Sequence, residues 1–195
     1  MGFNSKKRVV VGITGASGTP LAVRCLETLR QIEDVETILV STNGARKTAE
    51  TEWPNGFDSI ESLADEVYPI DAIDAPISSG TFDTCGMIVI PCSMKSAAGI
   101  ACGYSDNLLL RAADVTLKEG RKLVLVVRET PFNAVHLDNL AKLSHVPGVC
   151  ILPAVLSYYN HPGSIEDMER HIVGKALQQL GIEAPDFSRW EGAGE

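Results

Sequence analysis

An arginine and a glutamate stand side by side where an apolar run ends: Lys122–Val127 is followed directly by Arg128-Glu129. Charges at the carboxyl end of a buried strand are costly unless a site uses them. Such a pair offers a cation for an anionic ligand and a carboxyl for proton transfer. Other turns are rich in donors. Gly15-Ala16-Ser17-Gly18 joins an apolar run to a helical pattern. Its glycines permit a tight turn, and free N–H groups at a helix start favour an anion or a carbonyl. It is neither a GxGxxG fingerprint nor a P-loop, because no Gly-Lys-Ser/Thr follows. Ser93-Met94-Lys95-Ser96 is a second such turn, suited to phosphate or to plain helix capping. Thr42 reads on its own as an N-cap, and Ser78-Ser79-Gly80-Thr81-Phe82 as a flexible turn. Glu52 is either a helix-surface carboxylate or part of a site.

The elements that must position these residues alternate in type. Arg8–Ile13, Thr37–Ser41, Met87–Pro91, Lys122–Val127 and Val149–Leu152 read as strands. Helical spacing marks Leu21–Ile32, Ala45–Glu52, Ser96–Cys102, Asn107–Glu119, Ala134–Ser144 and Ser164–Leu180. Trp53–Phe82 reads mostly as a long functional loop, with a short helix near Ser59–Ala64. Strands that are continuous apolar runs, each followed by a helix, imply a doubly wound, mostly parallel α/β sheet of Rossmann-like or flavodoxin-like type, covered on both faces. Its ligand would lie outside the carboxyl ends of the strands. Every polar motif is expected at such an end, in one cleft.

The 195 residues suit a single α/β domain, with residues 1–7 expected as a disordered tail and 181–195 as a tail packing on the site or on a neighbouring subunit. A net charge of −8, with no basic run, argues against nucleic-acid binding. No apolar stretch reaches the roughly 20 residues that span a bilayer. The N-terminal apolar run leads straight into a glycine turn, unlike a signal peptide; a cytoplasmic location is expected, with a trimmed organellar presequence left open. The five cysteines form no CxxC pair and read as buried free thiols of a reducing compartment. Cys92 has no histidine in the first 135 residues to activate it. No Cys/His pair has metal-ligand spacing and no DDxxD cluster occurs, so no metal is expected.

The Met87–Pro131 block together with ITGASGTP resembles the flavin prenyltransferase (UbiX) family, from about Arg8 to Trp190. The Lys118-Glu119-Gly120-Arg121 and Ile77–Gly80 stretches resemble its branch paired with aromatic- or phenolic-acid decarboxylases. The resemblance implies reduced flavin mononucleotide (FMN) held by Gly15, Ala16, Ser17, Thr42, Ser93, Met94, Lys95, Ser96 and Arg128, with Ser78–Phe82 as a lid or edge for the flavin ring. It implies Arg111, Lys118, Tyr159 and Lys175 around the phosphate of dimethylallyl phosphate, and Trp190 near the prenyl pocket or as a docking anchor on a neighbour. Glu129 becomes the acid–base residue, with Ser17 and Glu52 as secondary candidates. The implied product, prenylated FMN, goes to a UbiD-type decarboxylase, and a homo-oligomer, up to a dodecamer, is expected.

The chain departs from the family pattern in three places. Asn43 replaces a basic residue after Thr42, Lys175 replaces a common arginine, and Leu156 stands where a second proline is usual. Two other classes stay open: a non-catalytic FMN carrier subunit, and an FMN-dependent decarboxylase of the same architecture. The cysteine-decarboxylating kind of the latter relies on an N-terminal histidine, whereas the first histidine here is His136.

Overall fold

The computed structural model describes residues 6–185 together with 187, 189 and 192. Within them lies one six-stranded, all-parallel sheet in the order β3-β2-β1-β4-β5-β6. The strands are β1 (Lys7–Ile13), β2 (Val35–Ser41), β3 (Glu66–Tyr68), β4 (Gly86–Cys92), β5 (Lys122–Val127) and β6 (Val149–Pro153). The helices are α1 (Thr19–Arg30), α2 (Asn43–Glu52), α3 (Phe57–Glu61), α4 (Met94–Cys102), α5 (Leu108–Lys118), α6 (Ala134–Ser144) and α7 (Ile165–Gln179). This is the doubly wound order, with its switch point between β1 and β4.

Side chains alternate across each strand and so build two cores. Val9, Val11, Ile88 and Val124 face α1 and α7 through Leu26, Leu29 and Leu177. Val10, Met87, Val89 and Leu125 face α4 and α5 through Ala97, Leu109 and Ala112. Both faces are covered, which is why the strands read as unbroken apolar runs.

The Trp53–Phe82 stretch is not simply a loop. It carries α3, the sheet's edge strand β3, and a 3₁₀ turn at Pro76–Ser78. A three-residue strand with one neighbour buries little, so its Glu66-Val67-Tyr68 sequence has no apolar run to reveal it. Helix α1 begins at Thr19, ahead of its apolar spacing, because Pro20 fits a first turn. Lys7, expected in a tail, opens β1.

At the switch point β1 and β4 diverge, and one side chain ties them. Thr14 is fully buried. Its hydroxyl donates to the Pro91 carbonyl at 2.6 Å and accepts from the Ser93 N–H at 2.8 Å. Its own N–H also points to the Pro91 carbonyl, at 3.3 Å. Replacing it with isosteric valine strands the Ser93 N–H and leaves the Pro91 carbonyl with only the longer bond from the residue-14 N–H. Thr14→Val is expected to cost about 2–3 kcal/mol and Thr14→Ser less than about 1 kcal/mol, measured as urea-unfolding midpoints at one protein concentration.

Candidate functional site

Among the cavities at the carboxyl ends of the strands, two are divided by the Gly15–Gly18 turn. The larger, about 840 Å³, is lined by Gly15, Thr42, Asn43, Ser93, Lys95, Ser96 and Asn107, among others. The smaller, about 400 Å³, is lined by Ser17, Glu52 and Arg128 on one side and by Leu21, Leu156, Met168 and Ile172 on the other. Both volumes fall in the range of small-molecule sites, about 300–1,000 Å³.

Three helices aim their N-termini at the larger cavity. Thr42 caps α2 by accepting from the Ala45 N–H at 3.1 Å. Ser93 caps α4 through the Ser96 N–H at 3.3 Å, and its own hydroxyl donates to Ser96 Oγ. Asn107 caps α5 through the Leu110 N–H at 3.0 Å. Each cap satisfies one N–H and leaves the earlier ones, such as those of Met94 and Lys95, without an intrahelical acceptor. Together they set partial positive charge around the cavity. Lys95 adds a full charge there, and among the described residues its ammonium has no partner. The basic residue missing at Asn43 is not supplied by Arg46, which pairs with Glu61 and lies over the Phe57 ring at 4.6 Å.

Backbone meets backbone on the floor of this cavity. A Cβ on Gly15 would stand 3.0 Å from the Gly44 carbonyl carbon. Glycine at 15 therefore lets the first turn and the start of α2 pack edge to edge, with their N–H groups at the cavity wall. Ala16 and Met94 are buried and support these turns from behind.

The fourth N-terminus, that of α1, is already occupied. Glu52 at the end of α2 accepts from the Gly18 and Thr19 N–H groups, both at 2.8 Å. Partial burial works to raise its pKa, but the hydrogen bonds from Ser17, Gly18 and Thr19 outweigh burial and hold the carboxyl below its usual value. The first turn is thus anionic on the side facing the smaller cavity. Beside it stands Arg128, exposed, whose guanidinium has no partner among the described residues. Glu129 is half-buried, lines neither cavity, and accepts from the Thr130 N–H at 3.0 Å. Because β5 ends at Val127, this pair sits just past the sheet and avoids the burial cost that marked it in the sequence. Cys92 is buried and its thiol is pushed up to about 12 by that burial, so it packs rather than reacts.

The remaining candidates lie elsewhere on the chain. Helix α5 runs antiparallel to the strands, so its last turn reaches their amino ends. Lys118 pairs there with Glu119. Arg111 bridges Asp114 at 2.9 Å and the Ser78 carbonyl at 3.2 Å. The Ser78–Phe82 segment is bound by Arg121 through the Gly80 and Phe82 carbonyls, and Arg8 at the start of β1 lies over the Phe82 ring. The expectation that every motif meets at the carboxyl ends fails for Lys118 and the Ser78–Phe82 segment within one chain. Tyr159 and Lys175 sit with α7. The Tyr159 hydroxyl is 3.0 Å from His171 Nε2, and the Lys175 ammonium contacts Gln178 at 3.3 Å. Trp190 lies outside the described residues.

Sequence reading missed Thr14 and Asn107 as parts of the site. Both stood at a strand end or a helix start, where a hydroxyl or an amide is the signal for a clamp or a cap. No group of three or more His, Cys, Asp or Glu among the described residues could hold a metal ion.

This fold, with three helix N-termini at its switch point, defines a flavoprotein-type α/β domain, and the Flavoprotein family model matches residues 2–177. The chain is 50% identical to a probable UbiX-like flavin prenyltransferase of Escherichia coli O157:H7, covering 95% of this chain and 93% of that one. It is 48% identical to the flavin prenyltransferase UbiX of Neisseria meningitidis, over 95% and 97%. Among solved structures, AnUbiX in complex with FMN and dimethylallyl pyrophosphate superposes with a TM-score of 0.93 at 43% identity, covering 97% of this chain and 100% of that one. A dodecameric FMN-dependent UbiX-like decarboxylase from E. coli O157:H7 gives 0.92 at 49%, over 95% and 100%. The chain belongs to the UbiX-like flavin prenyltransferase family.

The Glu52 bond to α1 carries a pH signature. A carboxyl whose folded pKa is depressed adds stability above its ordinary value of 4.5, and that stability fades as pH falls through the depressed value. Glu52→Gln is expected to lower stability by about 0.5–1 kcal/mol at pH 7. The gap to the parent should close as pH drops below 4.5, followed as thermal midpoints at fixed protein concentration.

Proposed function

We propose that this chain transfers a dimethylallyl group from dimethylallyl phosphate to N5 and C6 of reduced FMN and releases phosphate. The observation that carries the reading is the pair of cavities across one turn. One is ringed by helix N-termini and suits a phosphate. The other is largely apolar, with Arg128 and a hydrogen-bonded Ser17–Glu52 pair at its edge.

The donor set fits FMN. Asn43, Gly44, Lys95 and Ser96 would hold its phosphate through N–H groups, a hydroxyl and an ammonium, and Thr42 and Ser93 keep those helix starts in place. Bound reduced FMN supplies the nucleophilic ring atoms. Glu52 keeps the α1 N-terminus closed to phosphate, so the anion is directed to the larger cavity. Ser17, bonded to Glu52, can hold or pass a proton at its Oγ. Arg128 presents its free guanidinium to the flavin or the donor. Glu129 would manage the proton at the departing phosphate oxygen, while the carbon–oxygen bond to the allyl group breaks with its electron pair leaving on phosphate.

Lys118 stands at the amino end of the sheet and Arg111 is engaged by Asp114 and the Ser78 carbonyl, so the reading assigns both to a neighbour's cavity in a homo-oligomer. The dodecameric relative supports such an assembly. We place Tyr159 and Lys175, with Trp190, around the allyl phosphate. The pyrophosphate in the AnUbiX complex keeps the diphosphate donor within the same reading. The product would pass to a UbiD-type decarboxylase. A cytoplasmic location is part of this reading; it is supported by five free cysteines and by the absence, among the described residues, of a helix long and apolar enough to cross a membrane.

The test is anaerobic. Incubated with reduced FMN and dimethylallyl phosphate, the protein is expected to yield a bound flavin heavier by one five-carbon unit. Glu129→Gln should reduce that yield by roughly 100-fold or more, the usual scale of acid–base assistance, while FMN still binds. Unmodified flavin from the parent protein would instead indicate a carrier. Carbon dioxide released from an aromatic acid without prenylation would indicate a direct decarboxylase.

A further inference from the structure

Lys118 ends α5 with its side chain 46% exposed, and its ion-pair partner Glu119 is 34% exposed. A surface pair of this kind contributes little, less than the rotamer freedom a four-carbon chain gives up on being fixed. A second element holds it. Both head groups rest on Gly80: a Cβ there would overlap the Glu119 carboxylate and stand 2.6 Å from the Lys118 ammonium. The backbone of residue 80 is the floor on which the pair sits, and a residue without a side chain leaves the pair its room.

That floor is itself anchored. The Arg121 side chain is only 17% exposed. Its Nη2 donates to the Gly80 carbonyl at 2.9 Å, and its Nη1 to the Phe82 carbonyl at 2.9 Å and to Thr84 Oγ1 at 3.3 Å. The planar fork of a guanidinium holds such acceptors in one geometry. Gly120, with φ at +68°, lets the chain turn between Glu119 and Arg121. The two head groups therefore meet Gly80 at its Cα, while the Arg121 fork takes its carbonyl. The segment is also held at both ends. Arg111, two helical turns before Lys118 on the same face of α5, donates from Nε to the Ser78 carbonyl at 3.2 Å. The Phe82 ring lies 4.8 Å from the Arg8 guanidinium, which pairs with Glu36 at 2.8 Å.

We propose that Arg121 is a positioning residue: by fixing the Gly80 peptide it sets where the Lys118 ammonium stands when a second copy's allyl phosphate meets it. The inference rests on the function proposed above, which gives Lys118 to a neighbour's cavity. Each residue of the Lys118-Glu119-Gly120-Arg121 turn then has a part. Lys118 supplies the charge, Glu119 keeps it over Gly80, Gly120 makes the turn, and Arg121 keeps Gly80 in place. A displaced ammonium binds a phosphate less well, because a charge-assisted hydrogen bond weakens with distance and misalignment. Arg121 need not touch the donor; it acts through Gly80 and Lys118.

The experiment is anaerobic steady-state prenylation with reduced FMN saturating and dimethylallyl phosphate varied, beside a fluorescence titration of FMN. Gly80→Ala pushes the two flexible head groups aside and leaves the rest of the segment in place. It should lower kcat/KM for dimethylallyl phosphate roughly 10-fold, the scale of one lost hydrogen bond to a charged group. Inorganic phosphate should weaken as an inhibitor by the same factor. Lys118→Met should lower kcat/KM at least as far, and Gly80→Ala added to it should cost nothing more. Arg121→Lys keeps the charge and loses the fork; it should lower kcat/KM about 3–10-fold, again with no further loss in the Lys118→Met background. FMN affinity should stay at the parent value throughout. Parent-like kcat/KM in a folded Gly80→Ala or Arg121→Lys protein, or losses that multiply with that of Lys118→Met, would overturn the inference. Weakened FMN binding in these variants would overturn it too, and would make the segment an edge of the flavin site instead. A parent protein that binds FMN but makes no prenylated flavin overturns the proposed function, and this inference with it.

Discussion

The site depends on the Thr14 hydroxyl more than on any charged residue. A parallel sheet opens a crevice only where two neighbouring strands send their chains to opposite faces. Here those strands are β1 and β4, and their ends would be free to splay. Thr14 closes the gap with a donated and an accepted hydrogen bond inside a buried environment, where leaving either partner unmade is expensive. Ser93 is thereby fixed through its N–H, and Ser93 in turn caps α4. The first turn and the α4 start, which face each other across the crevice, are one hydrogen-bonded unit.

That unit explains how a negatively charged protein can hold a phosphate. The positive potential in the larger cavity comes from the N-termini of α2, α4 and α5 together with the Lys95 ammonium. Glu52 makes the arrangement selective. By binding the Gly18 and Thr19 N–H groups it fills the α1 N-terminus, which faces the apolar cavity. On the proposed function the FMN phosphate would be directed to the larger cavity, and the apolar cavity keeps room for a hydrocarbon.

Much of this was legible in the residues. Continuous apolar strands alternating with helical spacing specify a doubly wound sheet, because burial on both faces erases the polar alternation. Gly15–Gly18, Thr42 and Ser93–Ser96 were legible because capping chemistry is local. What the residues could not convey is direction. Lys118 lies in the same contiguous block as Ser93 and Arg128, yet a helix that returns antiparallel to the strands carries it to the far end. Glu52 could be read either as a surface carboxylate or as part of a site, because its partners, Gly18 and Thr19, are more than thirty positions away. β3 stayed hidden because an edge strand of three residues has too few apolar positions to show a period.

The separation of Lys118 from the cavities sets a constraint on assembly. A strand of six or seven residues spans roughly 20 Å, and the Lys118 side chain adds reach from the amino end only. An ammonium pairing with Glu119 at that end cannot also neutralise a phosphate at the other end of the same sheet. Arg111, near the start of α5, is taken up instead by Asp114 and the Ser78 carbonyl. If these cations serve the allyl phosphate, they must serve that of another copy, whose crevice is laid against the Ser78–Phe82 edge. The exposed apolar residues Val155, Leu156 and Tyr158 at the rim of the crevice point the same way, since a single chain leaves them in water beside an apolar cavity that they could help to close. Under the proposed function the lone chain would be an incomplete active site, with its crevice at one end of the sheet and Lys118 turned toward another copy at the other.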